Sequence, residues 1–181
     1  MRQRGRRKRA MGNRPFGPPL SAGPPRWMRQ AEENGMIRRA SPADLSRIAE
    51  ILVFVKRRNY RSIFHNDAYS FGELQVLPVA RQYGEARLLD HILVYDDGIV
   101  KGMIHIEGEE IAELYVDDFF QGQGVGAALI EHAKAHYPVR FLWALEKNTG
   151  AIRFYRAHGF QPTGERKPEE GTTEYLVRLE R

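Results

Sequence analysis

The chain of 181 residues has no cysteine. That absence excludes disulfides, a thiolate nucleophile and cysteine-ligated metal sites. It is compatible with a reducing cytoplasm, which is the expected location. No apolar run approaches the roughly 20 residues needed to span a bilayer, so no membrane partner is expected. The N-terminus is basic but has no apolar stretch behind it, and it does not read as a secretory signal. An even positive field is missing too. The net charge is +5, yet residues 1–35 hold nine Lys/Arg against two acids, leaving 19 basic and 21 acidic residues in the remainder. The basic character sits on the tail, so nucleic-acid binding by the domain is not expected.

Residues 1–35 contain five prolines and an arginine cluster at the start. Little there can bury apolar area against the entropy of ordering, so a disordered basic tail is expected. It reads as a dispensable extension, as an upstream segment before a start at Met36, or as a basic arm for an acidic surface. From Met36 the pattern becomes that of a folded domain, residues 36–181, with no internal repeat.

Met36-Ile37-Arg38-Arg39-Ala40 is a short strand. Ser41 and Pro42 mark a helix start, after which Leu45, Ile48, Leu52 and Val55 recur with helical spacing. A second helix is expected over about residues 71–82, although Pro78 interrupts it. Two strands, 91–95 and 99–106, join at the tight turn Asp97-Gly98. Residues 111–116 form the next strand. A glycine-rich loop and a helix to about His136 follow. Phe141-Leu142-Trp143-Ala144-Leu145 is apolar on both faces and reads as a central strand. Asn148 starts another helix, which Gly159 ends as a left-handed cap. Residues 160–162 and 172–179 supply the last strands. The expected order is β-α-α-β-β-β-α-β-α-β-β: an α/β (α+β) fold with a mixed, mostly antiparallel central sheet and about four helices.

Chemistry concentrates in the loop Gln121-Gly122-Gln123-Gly124-Val125-Gly126. Closely spaced glycines let backbone N–H groups approach a ligand, and the following helix offers its unpaired N–H groups and positive dipole end. Those features suit a pyrophosphate. The segment also matches the dinucleotide pattern G-x-G-x-x-A, with Glu146 near the spacing of a ribose-binding acid. A dinucleotide site, however, needs parallel strands with helical crossovers. Here an antiparallel series precedes the loop, and Asp117-Asp118-Phe119-Phe120 separates strand from glycines.

Residues 114–126 resemble motif A of the GNAT (GCN5-related N-acetyltransferase) family, with its Q/R-x-x-G-x-G/A core. Residues 148–160 resemble motif B, N-x-x-A-x-x-F-Y with a trailing G-F. The element order over 36–181 is similar to the family's as well. This resemblance implies acetyl-CoA as co-substrate and direct transfer of its acetyl group to an amine acceptor. It implies that Val116 backbone groups pair with pantetheine where the strands around 111–116 and 141–145 separate. Gln121, Gly122, Gln123, Gly124, Val125 and Gly126 would cradle the pyrophosphate, Asn148 would contact pantetheine, and Tyr155 would protonate the departing thiolate. No metal is implied, and a homodimer through the late strands is compatible with it.

An ammonium acceptor must lose a proton before attack. Glu113, on the strand leading to the loop, is the candidate base; Glu146 is the second, with His105 and His65 behind them. Structural readings stand beside these: Glu113 as a solvent-facing strand position, Asn148 as a helix cap, Tyr155 as a core aromatic. Residues 60–69, with Tyr60, Phe64, His65, Asn66, Asp67 and Tyr69, are expected to shape the acceptor pocket, with Asp67 holding a polar amine. The competing reading is a non-catalytic acyl-CoA-binding sensor on the same fold.

Overall fold

The computed structural model describes residues 36–181; the tail expected to be disordered lies outside the described residues. Strand β1 (Ile37–Arg39) leads through a 3-10 turn (Pro42–Asp44) into helix α1 (Leu45–Phe64). The start is strongly built. The Asp44 carboxylate accepts from the Ser41 backbone N–H at 2.7 Å and the Ser41 hydroxyl at 2.8 Å. It also accepts from both terminal nitrogens of Arg38, at 2.8 and 2.9 Å. These bonds, led by Arg38, hold the carboxyl down to a pKa of about 2.

Helix α1 runs beyond the apolar repeat that ends at Val55. Its last two turns leave the core, so hydrophobic spacing no longer reports the helix there. His65 closes it in a left-handed conformation, φ 50°. The single helix expected over about 71–82 is instead two pieces: a π-helical turn (Ala68–Glu73) and helix α2 (Val76–Tyr83), separated by extended Gln75. Proline is tolerated only in a first turn, and starting the helix at Val76 puts Pro78 there. Arg57 fixes the break by donating to the carbonyls of Ser70 (2.8 Å) and Leu74 (2.7 Å). A further single turn, α3 (Ala86–Leu89), follows.

The remaining order is β2 (Ile92–Asp96), β3 (Val100–Glu107), β4 (Glu110–Val116), α4 (Val125–His136), β5 (Phe141–Leu145), α5 (Thr149–Ala157), β6 (Gln161–Pro168) and β7 (Tyr175–Glu180). The strands form one seven-stranded sheet, β1-β2-β3-β4-β5-β7-β6. Every neighbouring pair is antiparallel except β4 and β5. The expected mixed, mostly antiparallel fold is therefore present, and β5 is interior to the sheet. Alternation along the strands sends side chains to two cores. Ile92, Val94 and Met103 pack with α1 and α2. Leu93, Ile104, Ile111 and Leu142 pack with α4 and Phe160.

Candidate active site

The parallel neighbours β4 and β5 are in register only at Glu110↔Phe141 and Ile111↔Leu142. Beyond them the strands part. β5 continues on β7 through Leu145↔Leu176, and β4 continues on β3 through Val116↔Gly102. Antiparallel ladders alternate the direction of backbone groups. The Asp117 N–H donates to the Lys101 carbonyl at 2.9 Å. By that alternation, the N–H groups of Leu114 and Val116 point away from β3, into the opening. The Val116 carbonyl accepts from the Gln121 side chain at 3.0 Å, leaving its N–H as the free group.

The glycine loop closes one end of this opening. Gly122 and Gly124 hold φ of 73° and 89°, where a side chain would be strained. Both glutamine side chains brace the turn: Gln121 donates also to Asp118 (2.9 Å), and Gln123 to the Phe119 carbonyl (2.9 Å). Asp117 accepts from the Phe119 N–H at 2.9 Å and pairs with Arg47 at 2.7 Å. What faces outward is backbone. Helix α4 begins at Val125 with no side-chain cap and no acid in its first turn. Its leading N–H groups and dipole are available to an anion. A Cβ at Gly126 would meet Phe154 and Val116 at 3.4 Å, ordinary van der Waals contact, which places the start of α4 against α5 and β4.

Asn148 caps α5, its Oδ1 accepting from the Ala151 N–H at 3.1 Å. Tyr155, two turns on, packs its ring against Phe154 (5.4 Å) and Phe160 (6.4 Å). Its hydroxyl makes no hydrogen bond among the described residues. Burial, with Tyr60 nearby, pushes that hydroxyl well above the usual phenol range, so it keeps its proton at neutral pH.

Glu113 faces the other side of β4, toward α1 and α2. Its side chain is 16% exposed, and Lys56 and the His105 ring each lie 3.6 Å away. The Tyr83 hydroxyl donates to it. Burial opposes its charge, but His105, Lys56 and Tyr83 together hold its pKa below the ordinary value. The solvent-facing reading of Glu113 therefore does not describe it. Above it, Tyr60 and Tyr115 bring their hydroxyls to 3.5 Å. Burial pushes Tyr60 up to about 12. Two other sequence candidates lie elsewhere. Glu146 pairs with Arg166 at 2.8 Å, with nearly half its side chain exposed. Asp67 is exposed and committed to Arg61 at 2.8 Å.

A cleft of about 540 Å³ opens between the 66–73 turn and the β6–β7 connection, lined by Phe64, Asn66, Tyr69, Glu73 and residues 169–174. Sequence reading placed the first wall and missed the second, because nothing in the spacing of Glu169, Glu170 and Glu174 says that the hairpin folds back over α1. Glu174 is paired with Lys147 at 2.8 Å. The Glu169 carboxylate has no hydrogen bond or ion pair among the described residues, and burial pushes its pKa up. Among the described residues, no group of His, Asp and Glu could hold a metal ion.

A mixed sheet parted between two parallel strands, with an uncapped glycine-rich helix start at the opening, could hold a ligand that carries both amides and an anionic group. The sequence model described as Acetyltransferase (GNAT) domain matches residues 89–162. That match runs from the end of α3 to the start of β6. The chain is similar to the peptidyl-lysine N-acetyltransferase YjaB of Salmonella typhimurium, 36% identical over 73 residues, or 40% of this chain and 50% of that protein. The peptidyl-lysine N-acetyltransferase YiaC of Escherichia coli is 35% identical over 66 residues, covering 36% of this chain and 45% of YiaC. The chain thus spans about half the length of the curated relatives it matches. Among solved structures, apo YjaB from Escherichia coli superposes with a TM-score of 0.64 at 23% identity, covering 80% of this chain and 95% of that one. The PaiA N-acetyltransferase of Thermoplasma acidophilum, in complex with coenzyme A, gives 0.57 at 16% identity, covering 80% and 98%. At those identities the likeness is one of fold.

Proposed function

We propose that the protein transfers the acetyl group of acetyl-CoA to a primary amine. The observation that carries this reading is the opening between β4 and β5, with free backbone donors on one side, the uncapped α4 start at one end and the Tyr155 hydroxyl near Tyr60. The unpaired β4 edge suits the amides of pantetheine, and the α4 N–H groups suit the pyrophosphate. Asn148 holds the start of α5 against the pantetheine. The Val116 N–H donates to the thioester carbonyl and stabilises negative charge as it develops there.

The acceptor enters by the acidic cleft over Phe64 and Tyr69 as an ammonium. Glu113, kept ionised by its neighbours, takes one proton, through water or directly. The amine lone pair attacks the acyl carbon and the C–S bond breaks. The departing thiolate takes the proton of Tyr155, which regains one from the nitrogen that has become an amide. The acids around the cleft favour a cationic acceptor, and the names of the relatives point to a peptide lysine. No helix among the described residues is long and apolar enough to cross a membrane.

The test pairs calorimetry with acetyl-CoA and a free-thiol assay across lysine peptides, polyamines and amino acids. Binding with amine-dependent thiol release is expected. Binding with no release from any amine would identify a non-catalytic acyl-CoA sensor instead.

A further inference from the structure

The proposed chemistry yields one net proton per turnover, and Glu113, which receives it, is largely buried. The route outward is visible in the side chains behind it. His105 stands opposite Glu113 on β3, its Nδ1 3.6 Å from the Glu113 carboxylate. Its other ring nitrogen, Nε2, lies 2.9 Å from a carboxylate oxygen of Glu107. The imidazole is 9% exposed, whereas Glu107 is 48% exposed and in contact with water. A buried carboxylate, an imidazole hydrogen-bonded at Nε2 with its Nδ1 turned to that carboxylate, and a solvent-facing carboxylate therefore stand in line.

We infer that His105 and Glu107 carry the proton of Glu113 to solvent. The proton bound to Glu113 passes to Nδ1 of His105. The proton on Nε2 passes to Glu107 and from there to water, and the ring returns to its starting tautomer by rotation or by reverse exchange between turnovers. Nothing is oxidised and no co-reactant is needed. The charges support this direction of transfer. His105 is faced by Glu113 from β4 and Glu107 on its own strand; behind Glu113 stand Lys56 of α1 and Tyr83 of α2, while β2 offers apolar Ile92 opposite. Burial disfavours the imidazolium, yet the two carboxylates raise the ring's pKa while Glu113's is lowered. The shared proton is thus more stable on the ring than on Glu113. A purely structural histidine needs a partner at one nitrogen; two carboxylates at two nitrogens, one inside and one outside, are what conduction needs.

This inference rests on the acetyl-transfer reading, and its test separates the two. Glu107→Gln lies at an exposed position and should leave the fold and acetyl-CoA affinity unchanged. In weakly buffered solution it should lower kcat about tenfold, and His105→Gln about a hundredfold, within the range of a general acid–base contribution. Added imidazole should restore kcat in both, with little change in the KM of a lysine peptide. Unaltered kcat in both variants, or a loss that imidazole does not restore, would overturn the relay. A second readout needs no turnover: the 15N-detected titration of the His105 ring in the full chain. Glu113→Gln and Glu107→Gln should each lower its midpoint, since each removes a charge that favours the imidazolium. A ring that senses only one of them also overturns the relay. Wild-type protein that acetylates no amine, while the ring still senses both carboxylates, would remove the acetyl-transfer reading and leave the conduction path standing.

Discussion

Beneath α4 and α5 the sheet buries Leu93, Ile104, Ile111, Leu129, Leu142 and Phe160, an apolar layer with no buried charge. Beneath α1 and α2 it buries Ile48, Leu52, Ile92 and Met103, but also Asp44, Ser70 and His105, which are the buried polar residues of the described chain. The first face is a platform: it sets α4 against β4 so that the backbone of the glycine loop points outward. The second face gives part of its core to two ionisable groups, Asp44 and His105, each with partners that let it stay buried. A cofactor that is constant asks for fixed backbone, whereas proton handling and a cationic acceptor ask for titratable side chains.

Phe160 is fully buried among apolar neighbours, so Phe160→Ala should cost about 3–5 kcal/mol by denaturant unfolding. A much smaller loss would mean that the platform face is loosely packed. Tyr155→Phe keeps that packing and removes only the hydroxyl. We expect kcat to fall on the order of a hundredfold with acetyl-CoA affinity kept, in line with loss of a general acid; unchanged turnover would take Tyr155 out of the reaction.

On the ionisable face, Asp44→Asn should cost on the order of 2 kcal/mol at neutral pH, because the lowered carboxyl pKa is itself a stability term. The native carboxyl titrates near 2 and the unfolded one near 3.8. Its contribution is therefore complete above about pH 4 and fades as pH falls toward 2. Stability of the wild type should drop across that window more steeply than that of the variant, which acid titration by circular dichroism would show. The smallest expected effect is Gly124→Asp. It forces a side chain into φ 89° and places a negative charge where an anion is expected, so acetyl-CoA should bind about tenfold more weakly. Equal affinity by calorimetry would remove the pyrophosphate from this loop.

The two faces also differ in how much of them the sequence discloses. The platform side is legible because its work is done by backbone, and backbone that must turn sharply leaves glycines and caps in fixed spacing: Gly122, Gly124, Asn148 and Gly159. The strand opening is readable only through family resemblance, since pairing that stops after Ile111↔Leu142 leaves no local mark. The other face is assembled from distant segments. Lys56, Tyr83, His105 and Glu113 come from four elements, and no spacing links them. Hydrophobic period ended α1 too early for the same reason: its last turns serve the cleft instead of the core. Pro78 was a visible warning about the second helix, but the split at Gln75 depends on Arg57 reaching across from α1.

In the proposed reaction the donor lies on the platform side of the β4–β5 opening and the acceptor in the cleft beyond it. Backbone amide shifts measured by NMR during stepwise addition test it most directly. Acetyl-CoA alone should move Leu114, Val116, residues 122–127 and Asn148. A lysine peptide added afterwards should move Tyr69 and residues 169–174. Acetyl-CoA shifts centred on 169–174, with residues 122–127 unmoved, would contradict the account.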